Sequence, residues 1–448
     1  MFKYILEKNK NISIVFTGDS ITHGPLHTKG YRSYTEHFRE RLKEKYLFEE
    51  RNSLVKVFNT GVSGATTKDI LRDFHRCIEV YEPRIVFIML GMNDCSKEDL
   101  SLKDYRENII DIICKIQKIG ALPCIQTSNT IKEDISRKKL GSYMEVLREV
   151  AEEKNIFLID HYYHWKALEK IDINIKEKLL NDSIHPNEVG HLEIAKYIFK
   201  CLNIFDENSY TCSLKYPIEH NYAFLKGFNY KSSFSKEVFE EEVIKLKNII
   251  KEDKEGVWLF LDGGPLNVVG NTLGYKNYVE YLEERIRWEL NGDSIKKREK
   301  FMINLGKKNM NIEYILNNFH EMISKYEPKV VFLMISKEDD FIENLFEDNL
   351  RKIINNIKNI GAISVIQSSP IDNYYKVKRI EKVCKDEKVV FIDNYKLFRS
   401  LEENIQGGAK IFFEDNKLNE IGHLFLAKNI FRLLGIYDSK SLICNFEI

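Results

Sequence analysis

The chain contains two copies of one sequence pattern, and this repeat limits its possible folds more than any other feature. The segment GYRSYTEHFRERL, which begins at Gly30, returns as GYKNYVEYLEERI from Gly274, and YEPRIVFIML from Tyr81 returns as YEPKVVFLMI from Tyr326. The copies lie roughly 240 residues apart, a period that indicates tandem domains rather than a solenoid. The predicted organisation is a first domain over 1–205, a linker over 206–235 and a second domain over 236–448.

Each half alternates short apolar runs with amphipathic helical patterns. In the first half, strands are predicted over 14–17, 55–59, 84–90, 122–127 and 156–160. The buried face of the first long helix is predicted to carry Tyr31, Tyr34, Phe38 and Leu42. Near-continuous apolar strands joined by such helices indicate a parallel sheet covered on both faces, so each half is predicted to be an α/β domain.

Charge and composition argue against several classes of partner and location. The 448 residues include 68 Lys+Arg and 68 Asp+Glu, interleaved along the chain, so a nucleic-acid-binding surface is not expected. Apolar runs such as 85–90 and 330–335 are far shorter than the ~20 residues that span a bilayer. The first residues do not read as a signal peptide, and the eight cysteines are irregularly spaced, which together predict a cytoplasmic protein with reduced thiols.

Polar residues follow the predicted strands of the first half, at the points where the strands end. Four clusters stand out, namely Gly18-Asp19-Ser20, Ser63-Gly64, Asn93-Asp94 and the pair Asp182 and His185. After the second cluster, residues 66–69 read TTKD, which is the pattern of a capped helix start. Ligands of open α/β sheets bind beyond the carboxyl ends of the strands, so the clusters are predicted to meet at one edge.

These residue types supply what acyl transfer to a serine requires. The Ser20 hydroxyl needs an adjacent base, which His185 can provide, and Asp182 lies three residues earlier to orient the imidazole. The developing oxyanion needs N–H donors. The backbone amide of Gly64 can approach closely, the Asn93 side chain offers a second donor, and the Ser20 amide offers a third.

In this order the four clusters resemble the SGNH (GDSL-type) hydrolase family, which is named for its Ser, Gly, Asn and His. The resemblance covers nearly all of residues 10–205. It implies Ser20 as nucleophile, Asp182 and His185 as the rest of the triad, and an oxyanion hole formed by Ser20, Gly64 and Asn93. It also implies a flavodoxin-like three-layer α/β/α fold for the tandem domains, with parallel sheets and with no metal or organic cofactor.

The second copy lacks the chemical residues of the first. Aligned through the repeat, Ser20 corresponds to Gly264, Gly64 to Asn309, Asn93 to Glu338, Asp182 to Glu414 and His185 to Lys417. Loss of a nucleophile or base costs on the order of 10⁶ in kcat in a comparable triad. Residues 236–448 are therefore predicted to be a degenerate, inactive copy of the first domain.

Four further polar residues near the clusters receive smaller predicted roles. Asp19 and Asp94 are predicted to support the nucleophile and donor loops without taking part in the chemistry. His23 and His27 are spaced i, i+4, but Gly24 and Pro25 between them make a helical metal-binding pair a poor interpretation. The two histidines either line a substrate cleft or are solvated.

The sequence thus predicts a serine esterase that cleaves a carboxylic ester through an acyl-enzyme. A small acyl group, such as acetyl on a saccharide, is favoured because the predicted cleft loops show no long apolar lid. Two alternatives stay open: acyl transfer to a sugar or other alcohol by the same triad, and a non-catalytic glycan- or partner-binding role for the second domain. The predicted partner is a small-molecule or saccharide ester, and the oligomeric state is open.

Overall fold

The structure is a computed structural model of the 448-residue chain. It describes residues 5, 11–24, 27–48, 54–216, 240–251, 256–263, 272–290, 300–306, 310–335, 343–404, 412–414 and 417–444. The chain divides near residue 218 into two compact units, each with its own five-stranded parallel sheet. The predicted α/β class with parallel sheets is therefore confirmed for both halves.

The sheet of the first unit consists of five parallel strands. They are β1 (Asn11–Gly18), β2 (Leu54–Asn59), β3 (Ile85–Met89), β4 (Leu122–Gln126) and β5 (Phe157–Ile159). Their order is β2-β1-β3-β4-β5, which is the doubly wound order of flavodoxin. All five predicted strands are present, with small differences at their ends. The carboxyl ends of β2, β1 and β3 lie side by side at one edge.

Helices cover both faces of this sheet. They are α1 (Ser20–His23), α2 (Tyr34–Phe48), α3 (Thr67–Arg72), α4 (Phe74–Cys77), α5 (Leu102–Lys118), α6 (Leu140–Glu153), α7 (His161–Ile171), α8 (Ile175–Leu179), α9 (Glu188–Cys201) and α10 (Tyr210–Ser213). α2 packs against α9, while α5 packs against α6 and α3. The crossover from β1 to β2 runs along the sheet in one direction, and the crossovers from β3 to β4 and from β4 to β5 run in the other. Because such crossovers are right-handed, the two groups of helices cover opposite faces. No helix in the described ranges is long and apolar enough to cross a bilayer.

Burial explains why the apolar patterns produce these elements. Every residue of β3 is buried, as expected for a central strand with helices on both sides. Phe16 of β1 stacks on Phe87 of β3 with ring centroids 4.4 Å apart. Tyr34, Phe38 and Leu42 of α2 are all buried, which confirms these three residues of the predicted helix face. Tyr31, the fourth residue of that prediction, is also buried but lies before the helix begins at Tyr34.

The segment after α9 belongs to the first unit. Ser209 caps α10, and the Glu44 carboxylate accepts hydrogen bonds from the Ser209 hydroxyl at 2.7 Å and the Tyr210 amide at 2.6 Å. Residues 206–216, which the sequence interpretation assigned to the linker, therefore pack on α2. The remainder of the predicted linker, residues 217–235, lies outside the described residues.

The second unit repeats the strand order of the first. Its parallel strands are β6 (Gly256–Asp262), β7 (Lys300–Asn304), β8 (Val330–Met334), β9 (Ile363–Gln367) and β10 (Val390–Ile392), in the order β7-β6-β8-β9-β10. A two-stranded antiparallel ribbon follows, formed by β11 (Phe413–Glu414) and β12 (Lys417–Leu418). Its helices are α11 (Glu240–Lys251), α12 (Tyr278–Glu283), α13 (Ile312–Asn317), α14 (Phe319–Met322), α15 (Glu343–Asn359), α16 (Tyr374–Glu387), α17 (Asn394–Asn404) and α18 (Glu420–Leu434).

Internal contacts of the two units correspond in detail. Arg41 Nε donates to the Ile204 carbonyl at 2.8 Å, and Arg285 Nε donates to the Ile436 carbonyl at 3.0 Å. His191 lies against Tyr34, and its repeat partner His423 lies against Tyr278, with nearly parallel rings in both cases. Corresponding residues thus make corresponding contacts, which is the behaviour of scaffold positions.

Candidate active site

The turn after β1 presents the Ser20 hydroxyl at the carboxyl edge of the first sheet. Asp19 Oδ1 accepts the Ile21 amide at 2.9 Å and so caps α1. Asn59 Nδ2, at the end of β2, donates to the Thr22 carbonyl at 2.8 Å. The short helix is therefore held from both ends, and Ser20 is left partly exposed.

Ser20, His185 and Asp182 form one continuous hydrogen-bonded chain. Ser20 Oγ lies 2.9 Å from His185 Nε2, and His185 Nδ1 lies 2.8 Å from Asp182 Oδ2. The second carboxylate oxygen of Asp182 accepts the backbone amides of Ile184 and His185, both at 2.7 Å. This tight turn fixes the carboxylate against the imidazole that follows it. The structure therefore brings together the three residues that the sequence proposed as a triad.

The electrostatics of this turn favour one tautomer of the neutral imidazole. Partial burial raises the pKa of Asp182, but the amides of His185 and Ile184 and the imidazole outweigh it and lower the pKa to about 2. The carboxylate is thus ionised at any pH at which an esterase is assayed. An ionised Asp182 requires the proton on His185 Nδ1, which leaves Nε2 free to accept the Ser20 proton.

Two further polar clusters lie at the ends of β2 and β3. Gly64 is exposed and has a φ of +81°, a conformation that favours glycine. Asn93 Nδ2 donates to the Ala65 carbonyl at 3.1 Å, which joins the two clusters. The predicted helix start is confirmed, because Thr66 and Asp69 form a capping box at the beginning of α3. The three proposed donors therefore follow three neighbouring strands.

Replacing Asn93 by Ala is expected to lower kcat for ester hydrolysis by about 10²–10³, because an oxyanion donor acts mainly on the transition state. KM should change little for the same reason. Steady-state kinetics on p-nitrophenyl acetate check this. Asn208→Ala, at an exposed position outside the site, is the matched control. An unchanged kcat in Asn93→Ala would remove this side chain from the oxyanion hole.

Asp19 and Asp94 are two buried carboxyl groups that follow β1 and β3. Asp94 Oδ1 accepts the Thr67 amide at 2.8 Å and the Thr67 hydroxyl at 2.7 Å. The remaining oxygen of each carboxyl group has no hydrogen-bond partner among the described residues. Burial, reinforced by Asp94, raises the pKa of Asp19 to about 7, and burial also raises the pKa of Asp94. Both groups hold loops in place, and neither contacts Ser20 Oγ or His185 in the hydrogen-bond network of the site.

This burial predicts a pH-dependent stability. Between pH 4 and 7, folded Asp19 keeps a proton that the unfolded chain releases, so the free energy of unfolding falls as pH rises through this window. Asp19→Asn keeps the acceptor for the Ile21 amide and should flatten this slope. Going from pH 4 to pH 8, the variant should lose up to ~4 kcal/mol less free energy of unfolding than wild type. Urea unfolding at pH 4 and pH 8 measures the free energy of unfolding. Asp111→Asn, at an exposed position, is the control and should keep the wild-type slope. Parallel slopes in wild type and Asp19→Asn would contradict the assignment.

His23 and His27 both lie beside the triad. His23 Nδ1 is 3.2 Å from the Ser63 hydroxyl, on the side of the donor cluster. The His27 ring stacks on the ring of His185, with centroids 4.0 Å apart and planes inclined by 7°. His27 is therefore a direct neighbour of the His185 imidazole. The possible role of both residues in lining a substrate cleft stays a prediction.

The ligand atoms of His27, Asp182 and His185 lie within 4.8 Å of one another, close enough to raise the question of a metal ion. A metal binds an imidazole nitrogen in the plane of the ring. Two stacked rings direct their lone pairs side by side, so they do not converge on one ion. His185 is also engaged at both nitrogens, by Ser20 and Asp182. These residues do not fit a metal site.

Two residues that support the site were missed by sequence reasoning. Asn129, directly beyond β4, donates through Nδ2 to the Ile184 carbonyl at 3.0 Å and so anchors the triad turn. Its place beyond the carboxyl end of a strand was an available signal. Arg137 Nε donates to the Met92 carbonyl at 3.2 Å, next to Asn93. No local pattern marks Arg137, because its contact joins two separate loops.

The repeat counterparts in the second unit are only partly described. Glu414 lies in β11, and Lys417 lies in β12 with an exposed side chain. Gly264, Asn309 and Glu338 lie outside the described residues. The identities of the five counterparts are thus known from the sequence, and the positions of two are known from the structure.

Comparison with known proteins places this site in a family. The model of the GDSL-like lipase/acylhydrolase family matches residues 16–192. Among curated proteins, the chain is 27% identical over 178 residues to the uncharacterized lipoprotein YqeF of Bacillus subtilis (strain 168), covering 34% of this chain and 71% of that protein. It is 23% identical over 154 residues to an acetylxylan esterase of Geobacillus stearothermophilus, covering 32% of this chain and 69% of that protein.

Similar solved structures include the acetylxylan esterase Axe2 of Geobacillus stearothermophilus, at 22% identity and a TM-score of 0.37, covering 43% of this chain and 94% of that one. Another is the acetyl xylan esterase AlAXEase, at 20% identity and a TM-score of 0.37, covering 42% of this chain and 98% of that one. The matched range contains the positions of Ser20, Gly64, Asn93, Asp182 and His185. The amino-terminal region of this chain, residues 16–192, belongs to the GDSL-like lipase/acylhydrolase family.

Proposed function

We propose that the first unit is a serine carboxylic-ester hydrolase that works through a covalent acyl-enzyme. The observation that carries this proposal is the continuous chain from Ser20 Oγ through His185 to Asp182, with contacts of 2.9 and 2.8 Å. Such an arrangement activates a hydroxyl that is otherwise a weak nucleophile. Membership of the acylhydrolase family supports an ester as substrate.

The proposed reaction has two halves. Ser20 Oγ attacks the ester carbonyl carbon while His185 Nε2 accepts the hydroxyl proton, and the oxyanion forms against the Ser20 and Gly64 amides and Asn93 Nδ2. The bond to the alcohol then breaks, and the alcohol leaves with the proton from His185. Water attacks the acyl-enzyme by the same route in reverse, which releases the acid and restores Ser20.

The proposed substrate is a small acyl ester, with acetyl on a saccharide as the leading case. A related protein of Geobacillus stearothermophilus is named an acetylxylan esterase, although only 23% of the aligned residues are identical. The loops over 95–102 and 129–140, which follow β3 and β4, are largely polar in sequence. A long lipid chain would need a larger apolar surface. The cytoplasmic location stays a prediction from the sequence.

The substrate proposal is tested with p-nitrophenyl esters of increasing acyl length and with acetylated xylo-oligosaccharides. We expect the highest kcat/KM for acetyl esters and a steep fall beyond about four carbons, because a small pocket excludes longer chains. A maximum at long chains would overturn the acetyl assignment and leave the esterase mechanism in place.

Acyl transfer to a sugar or other alcohol is the second candidate function. It uses the same Ser20 acyl-enzyme with an alcohol in place of water as the acceptor. Product analysis with a sugar acceptor separates the two reactions. Free acid as the main product supports hydrolysis, and an acylated acceptor in excess of free acid supports transfer.

We further propose that the second unit is a degenerate, inactive copy of the first. The shared strand order and the matching contacts of Arg41 and Arg285 support a common origin. The replacement of His185 by Lys417 and of Asp182 by Glu414 supports the loss of chemistry. A binding role for a glycan or a partner is the alternative use of this unit. Labelling with a fluorophosphonate should modify one serine per chain, and a second adduct beyond residue 236 would contradict inactivity.

A further inference from the structure

A second imidazole covers one face of the catalytic imidazole. The ring of His27, in the loop that follows the nucleophile helix, lies parallel to the ring of His185 with centroids 4.0 Å apart. Both side chains are about four-fifths buried. Two histidines stacked in this way would repel each other if both were charged, so the arrangement requires that at least one stays neutral.

The surroundings of His27 keep its ring neutral and fixed. Burial and the neighbouring His185 lower the pKa of His27 to about 4, although Asp182 acts in the opposite direction. The Nδ1 atom lies 3.2 Å from Asn181 Nδ2, which can donate to it only when that nitrogen carries no proton. Asp182 Oδ2 is 4.0 Å from the same nitrogen. The ring is thus tied to the turn that carries the triad.

The stack restricts tilting of the His185 ring, a motion that the hydrogen bonds of the triad oppose only weakly. Hydrogen bonds to Ser20 and Asp182 hold the two nitrogens, which lie in the plane of the His185 ring. They resist tilting of that plane only weakly, because hydrogen-bond angles tolerate tens of degrees. A flat side chain packed on the face of the ring resists such tilting directly. The face of a neutral aromatic ring also attracts a cation, and His185 becomes a cation during the reaction.

We propose that His27 is a positioning residue, whose stacked ring holds the His185 imidazole aimed at Ser20 during the reaction. This inference rests on the proposed esterase function and adds a fourth side chain to its machinery. It assigns no contact between His27 and the substrate. Removal of the ring should therefore act on kcat, and KM should stay nearly constant.

Two substitutions separate the ring of His27 from its nitrogens. His27→Ala removes the ring, whereas His27→Phe keeps a flat ring over His185 but cannot accept the Asn181 amide. We expect His27→Ala to lower kcat for p-nitrophenyl acetate about tenfold with KM within about twofold, and His27→Phe to stay within about threefold of wild type. The matched control is His75→Ala, which removes an exposed histidine on α4 and should leave both constants unchanged.

The stack has a spectroscopic signature as well. In protein with isotope-labelled histidines, the ring current of the neighbouring ring should shift the His185 Hε1 resonance upfield in wild type and in His27→Phe. The shift should be lost in His27→Ala. If the Ala variant does not fold, His27→Leu takes its place, since Leu fills the space without a ring.

Three results would overturn the proposal. They are a wild-type kcat in folded His27→Ala, equal losses in the Ala and Phe variants, and a His185 resonance that does not respond to removal of the ring. The wild-type protein tests the esterase function separately. If that function were wrong, wild type would show no turnover that depends on Ser20. An active wild type that is insensitive to His27 refutes the positioning role alone.

Discussion

Ser20→Ala is expected to reduce kcat for short-chain p-nitrophenyl esters by about 10⁶. The physical reason is that no other hydroxyl is bonded to His185 Nε2 in the described site, where Ser20 Oγ lies at 2.9 Å. Covalent labelling by a fluorophosphonate should disappear in the same variant. Initial rates at saturating substrate and intact-protein mass spectrometry measure the two effects.

The control for this experiment is Ser213→Ala, which removes an exposed hydroxyl in α10 that donates to the Tyr210 carbonyl. It should keep wild-type activity and labelling. A Ser20→Ala protein that is folded and still turns over ester at the wild-type rate would place the chemistry elsewhere. A fluorophosphonate adduct on another serine would lead to the same conclusion.

Asp182→Asn is expected to lower kcat by about 10⁴ with little change in KM. The replacement keeps an oxygen for the amides of Ile184 and His185, so the turn should fold. Its amide group, however, would donate toward His185 Nδ1 and so favour the tautomer that carries the proton on Nε2. An imidazole in that form cannot accept the Ser20 proton.

Asp172→Asn is the matched control for Asp182→Asn. Asp172 lies just before α8, and its carboxylate pairs with Lys178 at 2.7 Å. This exchange should leave kcat unchanged, because the pair lies outside the triad. If Asp182→Asn retained more than about a tenth of wild-type kcat, His185 would be acting without an orienting carboxylate.

The parts of the fold that sequence patterns predicted well are those with local causes. A strand covered on both faces must be apolar at nearly every position, so β3 is visible as a continuous run. A helix with one buried face repeats its apolar residues, and the spacing of Tyr34, Phe38 and Leu42 located α2 in advance. The capped start of α3 was visible for the same reason, since Thr66 and Asp69 are three residues apart.

The candidate site was predictable because of a rule of sheet geometry. Parallel strands end at one edge, so polar residues that follow separate strands converge although they are distant in sequence. Ser20 and His185 are 165 residues apart and were proposed as partners on this ground. The start of the linker was less predictable, because residues 206–216 contain no periodic pattern. The bonds of Ser209 and Tyr210 are made to Glu44, a residue of a distant helix.

The sequence by itself determined the duplication, the parallel α/β class and the residue types at the strand ends. Each of these features depends on neighbouring residues or on the repeat, so a linear pattern reveals it. Only the tertiary structure decided that His27 stacks on His185 and that Asn181, 154 residues away from His27, holds its ring. Gly24 and Pro25 interrupt any period around His27, so nothing local records its partner. Such contacts arise from the way in which separate loops pack at one edge of the sheet, and a linear pattern does not encode that packing.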